Sequence, residues 1–258
     1  MLGYAPVLAT LLAAVNAQLG APNPNCTVVE KLVPNPGPFY MFEPGKADCG
    51  AGWAVPFGPV PPGCAKLEVL VARGTSESGP IGQIVGDPLV ARVIRDMKKL
   101  NETAQGYPVQ ASHVDPSKQY PADMLNFITG VTDVSKRITA QIQACPDIKF
   151  ALVGYSQGGS VMSTAQLMLS AEQKEKIIAV VLYGSGDGTT ILDPLKDRTI
   201  ANCAVGDFAC GDLQQGPGHT SYNERGTIWH DRSSQYIVQQ LHGKALGRKI
   251  MKTPNDPL

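Results

Sequence analysis

Ser156 has the neighbours of a catalytic nucleophile, in the pentapeptide GYSQG of residues 154–158. The pattern G-x-S-x-G is typical of a sharp strand-to-helix turn, and residues 150–153 and 161–169 predict that strand and that helix. We expect both flanking glycines to be required, because a Cβ atom at either position would clash across the turn. The turn would expose the serine hydroxyl, and the N-terminus of the helix could stabilise an oxyanion. These features predict acyl transfer through a serine nucleophile.

A serine hydroxyl is a weak nucleophile and needs a base, which a histidine supplies in hydrolases of this type. In the α/β-hydrolase arrangement the chain order is serine, acid, histidine, which excludes His113. His219 is the preferred base because it lies in a predicted loop, from which its side chain could reach the serine. His230 and His242 lie at the start and within a helix predicted over 231–246, and we expect both to be surface residues.

The carboxylate that would orient the histidine has several candidates. They are Asp187, Asp193, Asp197, Asp207 and Asp212. Asp207 is favoured because it lies between Cys203 and Cys210, and a bridge between these cysteines would hold the carboxylate in a tight loop. Asp187 is the alternative, in a Gly-Ser-Gly-Asp-Gly segment that follows a predicted strand. An ordinary Asp-Gly turn is the other explanation of that segment.

The elements that must position these residues alternate along the chain. Continuous apolar runs predict buried strands at 67–72, 150–153 and 177–182. Helical spacing of apolar residues predicts helices at 83–100, 121–144, 161–169 and 231–246. Apolar strands that alternate with amphipathic helices predict an α/β fold, with a parallel sheet covered by helices on both faces.

The N-terminal part of the chain predicts secretion. Residues 1–17 are expected to be a cleaved signal peptide, with a short apolar run and small residues before Gln18. Residues 18–63 are rich in proline and glycine and predict an extended arm, followed by a catalytic domain over 64–258. The six cysteines all follow the expected cleavage site, an even number that predicts disulfides. Asn25 and Asn101 lie in glycosylation sequons.

Composition excludes several classes of partner. Lys+Arg and Asp+Glu both total 22 in the 258 residues, and no basic block predicts binding to nucleic acid or anionic lipid. The cysteines and histidines lack the spacing of a zinc site, so we expect neither a metal nor another cofactor. No later apolar stretch is long enough to span a membrane. We expect a monomer that binds an ester substrate.

Three sequence elements together resemble the cutinase family of fungal secreted esterases. They are Ala-Arg-Gly-Thr-Ser-Glu at 72–77, the pentapeptide at 154–158, and Cys203…Asp207…Cys210 followed by His219 and Tyr222. The resemblance covers residues 64–245. It implies a small α/β-hydrolase with a five-stranded parallel sheet sandwiched by helices, and little or no lid.

The resemblance also implies residue roles. The triad would be Ser156, Asp207 and His219, and the oxyanion hole would be formed by Thr75 and Gln157. The disulfides would be Cys64–Cys145 and Cys203–Cys210, with Cys26–Cys49 as the remaining pair. The implied activity is hydrolysis of cutin or similar short-to-medium acyl esters, such as those of the plant cell wall.

Two departures from the family pattern concern the substrate. Cutinases commonly read Arg-Gly-Ser-Thr-Glu where this chain reads Arg-Gly-Thr-Ser-Glu, and the extra methyl of Thr75 would narrow the oxyanion hole. Gly159 stands where cutinases usually carry alanine, and the resulting Gly-Gly run resembles the related acetylxylan esterases. An acetylxylan-type deacetylase is therefore one alternative. A surface-binding or effector protein with weak activity on the same fold is the other.

Overall fold

The protein is described by a computed structural model that covers residues 64–75, 77, 81–109, 120–186, 188, 190–212, 218–224 and 226–258, with the backbone alone at 120–126. Several expectations lie outside these residues. They are the signal peptide at 1–17, the arm at 18–63, the Cys26–Cys49 pair, the sequon at Asn25, and the candidates His113 and Asp187.

A parallel sheet organises the described residues. Its strands are β1 (Leu67–Ala72), β2 (Ala104–Pro108), β3 (Lys149–Tyr155), β4 (Ile177–Tyr183), β5 (Thr199–Asn202) and β6 (Lys249–Met251). Within the described chain the order of the six strands is β2-β1-β3-β4-β5-β6, and all neighbours pair in parallel. The carboxyl ends of the strands therefore share one edge, where the loops that follow them meet.

The helices lie in the connections between the strands. They are α1 (Asp87–Lys99), α2 (Tyr120–Ala144), α3 (Gln157–Met168), α4 (Ala171–Lys176) and α5 (Trp229–Leu241). A π-helical turn, Gly82–Gly86, leads into α1. Helix α3 begins directly after Ser156, four residues earlier than predicted, and α5 ends before the predicted boundary at 246.

Both faces of the sheet are covered, as the alternating pattern predicted. Val69 and Val71 of β1 belong to a buried cluster that includes Leu89 of α1 and Trp229 of α5. Leu70, between them in the sequence, belongs to a second cluster with residues of α2 and α3. Successive side chains of a strand point to opposite faces, so a strand covered on both faces is a nearly continuous apolar run, as in β1, β3 and β4. The predicted α/β-hydrolase fold is confirmed.

The predicted number of strands is wrong, because the sheet has six strands within the described residues rather than five. The additional strand, β6, has three residues and pairs with β5 at one edge of the sheet. Arg232 of α5 holds the chain beyond β6, since its Nη1 donates to the carbonyls of Thr253 and Asp256 at 3.1 and 2.8 Å. A strand this short has too few residues to show a β period in the sequence.

Two disulfides implied by the family resemblance are present. Cys64–Cys145 joins the chain before β1 to the end of α2, with a sequence separation of 81. Cys203–Cys210 closes the short loop after β5. Both implied pairings are confirmed. None of the helices in the described segments is long and apolar enough to cross a membrane.

His230 is not a surface residue, and that expectation is wrong. Its side chain is buried at the start of α5, where Nδ1 lies 3.2 Å from the Tyr183 hydroxyl. Burial, with the nearby charge of Arg92, holds the pKa of His230 well below its ordinary value. The sequence could not distinguish it from His242, which is partly exposed at the end of α5 and lies 3.1 Å from Glu102.

We expect a His230→Phe variant to lose less stability than the wild type on acidification. The folded imidazole stays neutral while the unfolded one binds a proton, so wild-type stability is lost as pH falls below about 6.5. The difference should grow by up to about 1.4 kcal/mol per pH unit. Urea unfolding at pH 7, 6 and 5 measures it, with His242→Gln as the exposed control. Parallel stability curves for wild type and His230→Phe would contradict the prediction.

Candidate active site

Ser156 lies at the carboxyl end of β3, where the chain turns directly into α3. Its backbone has φ 52° and ψ −121°, a conformation that residues other than glycine rarely adopt. The Ser156 N–H donates to the Tyr183 carbonyl at 2.9 Å, which joins the turn to the end of β4. This contact with the neighbouring strand helps to keep the strained backbone in place, as expected for a turn that exposes a hydroxyl.

A Cβ atom at either glycine of the pentapeptide would clash, but with a different neighbour in each case. A Cβ at Gly154 would lie 2.5 Å from the Gly159 Cα, across the turn as predicted. A Cβ at Gly158 would instead lie 1.9 Å from the carbonyl oxygen of Ala72, at the end of β1. Gly158 therefore allows the nucleophile helix to pack directly against the neighbouring strand, a contact between residues distant in sequence.

The structure brings together Ser156, His219 and Asp207 in one chain of hydrogen bonds. His219 Nε2 lies 3.0 Å from Ser156 Oγ, and His219 Nδ1 lies 2.8 Å from Asp207 Oδ1. With the proton on Nδ1 donated to the carboxylate, Nε2 is free to accept the serine proton. The three residues come from the loops after β3 and β5 and from the helical turn at Gly218–Asn223.

Asp207 is fully buried and fixed at both carboxylate oxygens. Oδ1 accepts from the Ala209 N–H at 2.9 Å as well as from His219, and Oδ2 accepts from the Tyr222 hydroxyl. Burial would raise the pKa of Asp207, but the hydrogen bonds from His219 and Tyr222 outweigh it and hold the pKa below its ordinary value. The carboxylate is therefore ionised throughout the neutral range.

The imidazole of His219 is enclosed by aromatic rings. Tyr155 stacks on it with centroids 5.1 Å apart, and its hydroxyl donates to the His219 carbonyl at 2.7 Å. Phe208 approaches with a centroid distance of 4.5 Å, although the Phe208 side chain is itself exposed. A Cβ at Gly184 would lie 2.9 Å from His219 Nδ1. These contacts leave the ring little freedom to rotate away from Ser156.

The two residues implied as the oxyanion hole also lie together. The Thr75 hydroxyl donates to Gln157 Oε1 at 3.3 Å, joining the loop after β1 to the first residue of α3. Gly74 brings this loop against the nucleophile, since a Cβ there would lie 2.7 Å from the Tyr155 ring and 3.4 Å from Ser156 Cβ. The Thr75 hydroxyl and the Gln157 N–H are thus adjacent to the serine.

The other candidate acids and bases that the structure describes are elsewhere or engaged differently. Asp193 and Asp197 are exposed on the connection between β4 and β5. Asp212 accepts from the Gly206 N–H at 2.9 Å and so closes the loop that holds Asp207. His230 and His242 contact Tyr183 and Glu102 instead of the serine.

Sequence reasoning assigned no role to two tyrosines that hold the site. Tyr222 bonds the buried acid, and its hydroxyl also accepts from the Ala204 N–H at 3.1 Å. Tyr155 supports His219 by stacking and hydrogen bonding. Tyr222 was part of the family pattern, and that was its only signal. Tyr155 lies inside the pentapeptide, at a position where G-x-S-x-G places no restriction.

Gly159 departs from the usual alanine for a steric reason. A Cβ at this position would lie 1.8 Å from Ser185 Oγ and 2.3 Å from Ser185 Cβ. Ser185 fills the space from the loop after β4, and within the described part of the chain its buried hydroxyl has no hydrogen-bond partner. With serine at 185, only glycine fits at 159 without a steric clash.

Gly159→Ala is expected to destabilise the protein by about 1–3 kcal/mol, because overpacking forces the backbone of one loop to move. In a Ser185→Gly background the same change should lower the stability much less, since the obstructing Cβ and hydroxyl are absent. Urea unfolding of the four proteins in a double-mutant cycle measures this coupling. An equal loss in both backgrounds would show that Ser185 is not the obstacle.

Comparisons with known proteins identify relatives of this chain. A Cutinase family profile matches residues 63–241. The chain is 33% identical to a cutinase of Botryotinia fuckeliana over 153 residues, which are 57% of this chain and 70% of that protein. A Trichoderma reesei cutinase solved with a phosphonate inhibitor superposes with a TM-score of 0.53 and 27% identity, covering 69% of this chain and 77% of the other.

The fold is shared more widely than the sequence. The catalytic core of an acetyl xylan esterase from Trichoderma reesei superposes with a TM-score of 0.51 at 15% identity, covering 70% of this chain and 99% of that domain. At that identity the similarity concerns the fold alone. The family match extends from just before Cys64 to the end of α5 and contains the whole Ser156 site. The chain belongs to the Cutinase family of carboxylic ester hydrolases.

Proposed function

We propose that this protein is a secreted serine esterase that hydrolyses carboxylic esters through an acyl-enzyme on Ser156. The observation that supports it most is the continuous chain from Asp207 through His219 to Ser156, with distances of 2.8 and 3.0 Å. This geometry suits a base that removes the serine proton and a carboxylate that stabilises the resulting imidazolium. The disulfides fit an oxidising, extracellular environment.

In the first half of the reaction, His219 Nε2 takes the proton from Ser156 as Oγ attacks the ester carbonyl carbon. Negative charge develops on the carbonyl oxygen, where the Thr75 hydroxyl and the N–H groups of Thr75 and Gln157 stabilise it. Asp207 stabilises the charged imidazole. The tetrahedral intermediate collapses by breaking the bond to the alcohol, which leaves with the proton from His219.

In the second half, His219 removes a proton from water, and the oxygen of that water attacks the acyl carbon on Ser156. The same donors stabilise the second tetrahedral intermediate. Its collapse breaks the bond to Ser156 Oγ, returns the proton to the serine and releases the carboxylic acid. Besides the ester and water, each step uses side chains and backbone groups of this chain.

The proposed substrates are cutin or similar polymers with short-to-medium acyl esters. Relatives named as cutinases support this class. The surface beside His219 also supports it, because Phe208 is large, apolar and exposed next to the base. An apolar surface there would lower the cost of bringing an acyl chain to the serine.

A p-nitrophenyl ester series from acetyl to palmitoyl tests the proposal, together with labelling by a fluorophosphonate and mass mapping of the labelled peptide. We expect turnover of butyrate-length esters and a label on Ser156. Activity restricted to acetate, with release of acetate from acetylated xylan, would favour the deacetylase alternative. No turnover of any ester and no label on Ser156 would overturn the proposal in favour of a binding protein.

A further inference from the structure

Glu77 lies just beyond the proposed oxyanion residue Thr75, and its side chain points inward. It is only 9% exposed. Oε2 accepts from the Gly74 N–H at 2.7 Å, and Oε1 accepts from the Ile84 N–H at 2.8 Å. A single carboxylate thus joins the loop after β1 to the π-helical turn before α1. Both bonds are charge-assisted when the carboxylate is ionised, which makes them the stronger type.

The loop held by Glu77 is the one that touches the nucleophile. Gly74 packs against the Tyr155 ring and Ser156 Cβ, and Thr75 bonds Gln157. The Glu77 backbone also takes part, since its N–H donates to the Gly74 carbonyl at 3.3 Å and its carbonyl accepts from Arg73 Nη1 at 2.9 Å. Movement of this carboxylate would therefore move Thr75 relative to Ser156.

The partner turn is shaped around the carboxylate. Gly82 has φ +91°, and a Cβ at this position would lie 2.3 Å from Glu77 Oε2. Only glycine combines this backbone conformation with room for the carboxylate. The turn is therefore built to bring its N–H groups onto Glu77 and serves as more than a connection to α1.

The charged groups that face Glu77 come from each element packed around it. Arg73 lies on the same loop, Asp87 is buried at the start of α1, and Tyr155 lies at the end of β3. The Ile84 backbone of the partner turn also interacts with the neutral His230 of α5. Burial raises the pKa of Glu77 to about 7, against the opposing effects of its backbone hydrogen bonds and Arg73.

We propose that ionised Glu77 is a positioning residue, which holds Thr75 in place for the oxyanion, so that protonation of Glu77 releases the loop and lowers turnover. The inference rests on the proposed esterase function of the same site. Both oxygens of Glu77 already accept N–H bonds, so an added proton would face a donor rather than an acceptor. Protonation therefore weakens at least one of the two bonds to Gly74 and Ile84.

The kinetic test compares wild type with Glu77→Gln on a soluble butyrate ester. We expect Glu77→Gln to lower kcat at pH 8 by about tenfold or more while KM changes little, because an oxyanion donor acts in the transition state. Protonation of Glu77 should lower wild-type kcat toward the Glu77→Gln value as the pH falls through about 7. The ratio of wild-type to Glu77→Gln kcat/KM should therefore be largest at pH 8 and fall toward one below pH 6.

Glu68→Gln is the matched control, because Glu68 is a buried glutamate at the opposite end of β1. It accepts from Gln105 at 2.7 Å and pairs with Arg137. We expect this variant to melt at a lower temperature than wild type and to keep both the wild-type kcat and the wild-type pH profile of kcat/KM. A purely structural role for Glu77 would give the Glu68→Gln result.

A measurement independent of turnover is the pH titration of the Gly74 and Ile84 amide resonances by NMR. They should titrate together near pH 7 in wild type and remain flat in folded Glu77→Gln. Flat wild-type resonances, a kcat/KM ratio between wild type and Glu77→Gln that does not change with pH, or an unchanged kcat in folded Glu77→Gln would overturn the inference. Titrating amides in a wild type without Ser156-dependent turnover would keep Glu77 as the loop anchor and reject the esterase proposal instead.

Discussion

Replacement of Ser156 by alanine is expected to lower kcat for ester hydrolysis by on the order of 10⁶-fold. The change removes the hydroxyl that would form the proposed acyl-enzyme, while His219, Asp207 and the proposed oxyanion donors stay in place. Alanine keeps the Cβ, so the strained backbone at φ 52° is neither relieved nor worsened. Burst-phase and steady-state assays with a p-nitrophenyl ester measure the loss, and circular dichroism shows whether the fold is retained.

Ser160→Ala is the control for this substitution, because Ser160 lies exposed on the same helix, one turn beyond Ser156. We expect it to retain wild-type kcat and fluorophosphonate labelling. If Ser156→Ala kept more than about 1% of wild-type activity, hydrolysis would be proceeding without the acyl-enzyme, and the proposed mechanism would be wrong.

The second large effect is expected for Asp207→Asn, which should lower kcat by about 10⁴-fold. The carboxylate accepts bonds from His219, Ala209 and Tyr222 at once. An asparagine has one acceptor and one donor end, so it leaves at least one of these groups mismatched and can favour the wrong imidazole tautomer. It also removes the charge that stabilises the imidazolium. Steady-state kinetics at pH 8 measure the effect.

Asp212→Asn is the matched control in the same loop. Its interaction with the Gly206 N–H needs only an acceptor, which asparagine also provides. We expect kcat within about threefold of wild type, since surface-loop changes of this kind usually alter free energies by less than about 0.5 kcal/mol. Equal losses in the two variants would mean that loop order, rather than the Asp207 charge, limits turnover.

Local sequence was enough to predict the nucleophile turn. The spacing of glycines around Ser156, with an apolar strand before it and a helix after it, describes contacts within a few residues, and such contacts are written in consecutive positions. The alternation of apolar strands and amphipathic helices likewise predicted the layered α/β fold, which is confirmed. The disulfide pairings were predicted only through the family resemblance.

The short and polar elements escaped prediction because their stability comes from neighbours distant in the chain. β2 contains a glycine and a proline and lacks β-branched residues, yet every one of its residues pairs with a residue of β1. β6 has three residues and exists because β5 offers an edge and the segment after it is held by α5. Neither strand has a period long enough to be recognised.

The tertiary structure also determines which of several residues of the same type lies in the site. Several aspartates and three histidines follow Ser156 in the order that the fold requires, and only folding brings Asp207 and His219 to the serine while burying His230 in the core. Tyr222 donates to Asp207, 15 positions away in the sequence. Glu77 accepts from Ile84, 7 positions away. A residue type and its spacing determine which chemistry is possible, but burial and long-range hydrogen bonds decide which copy of that residue performs it.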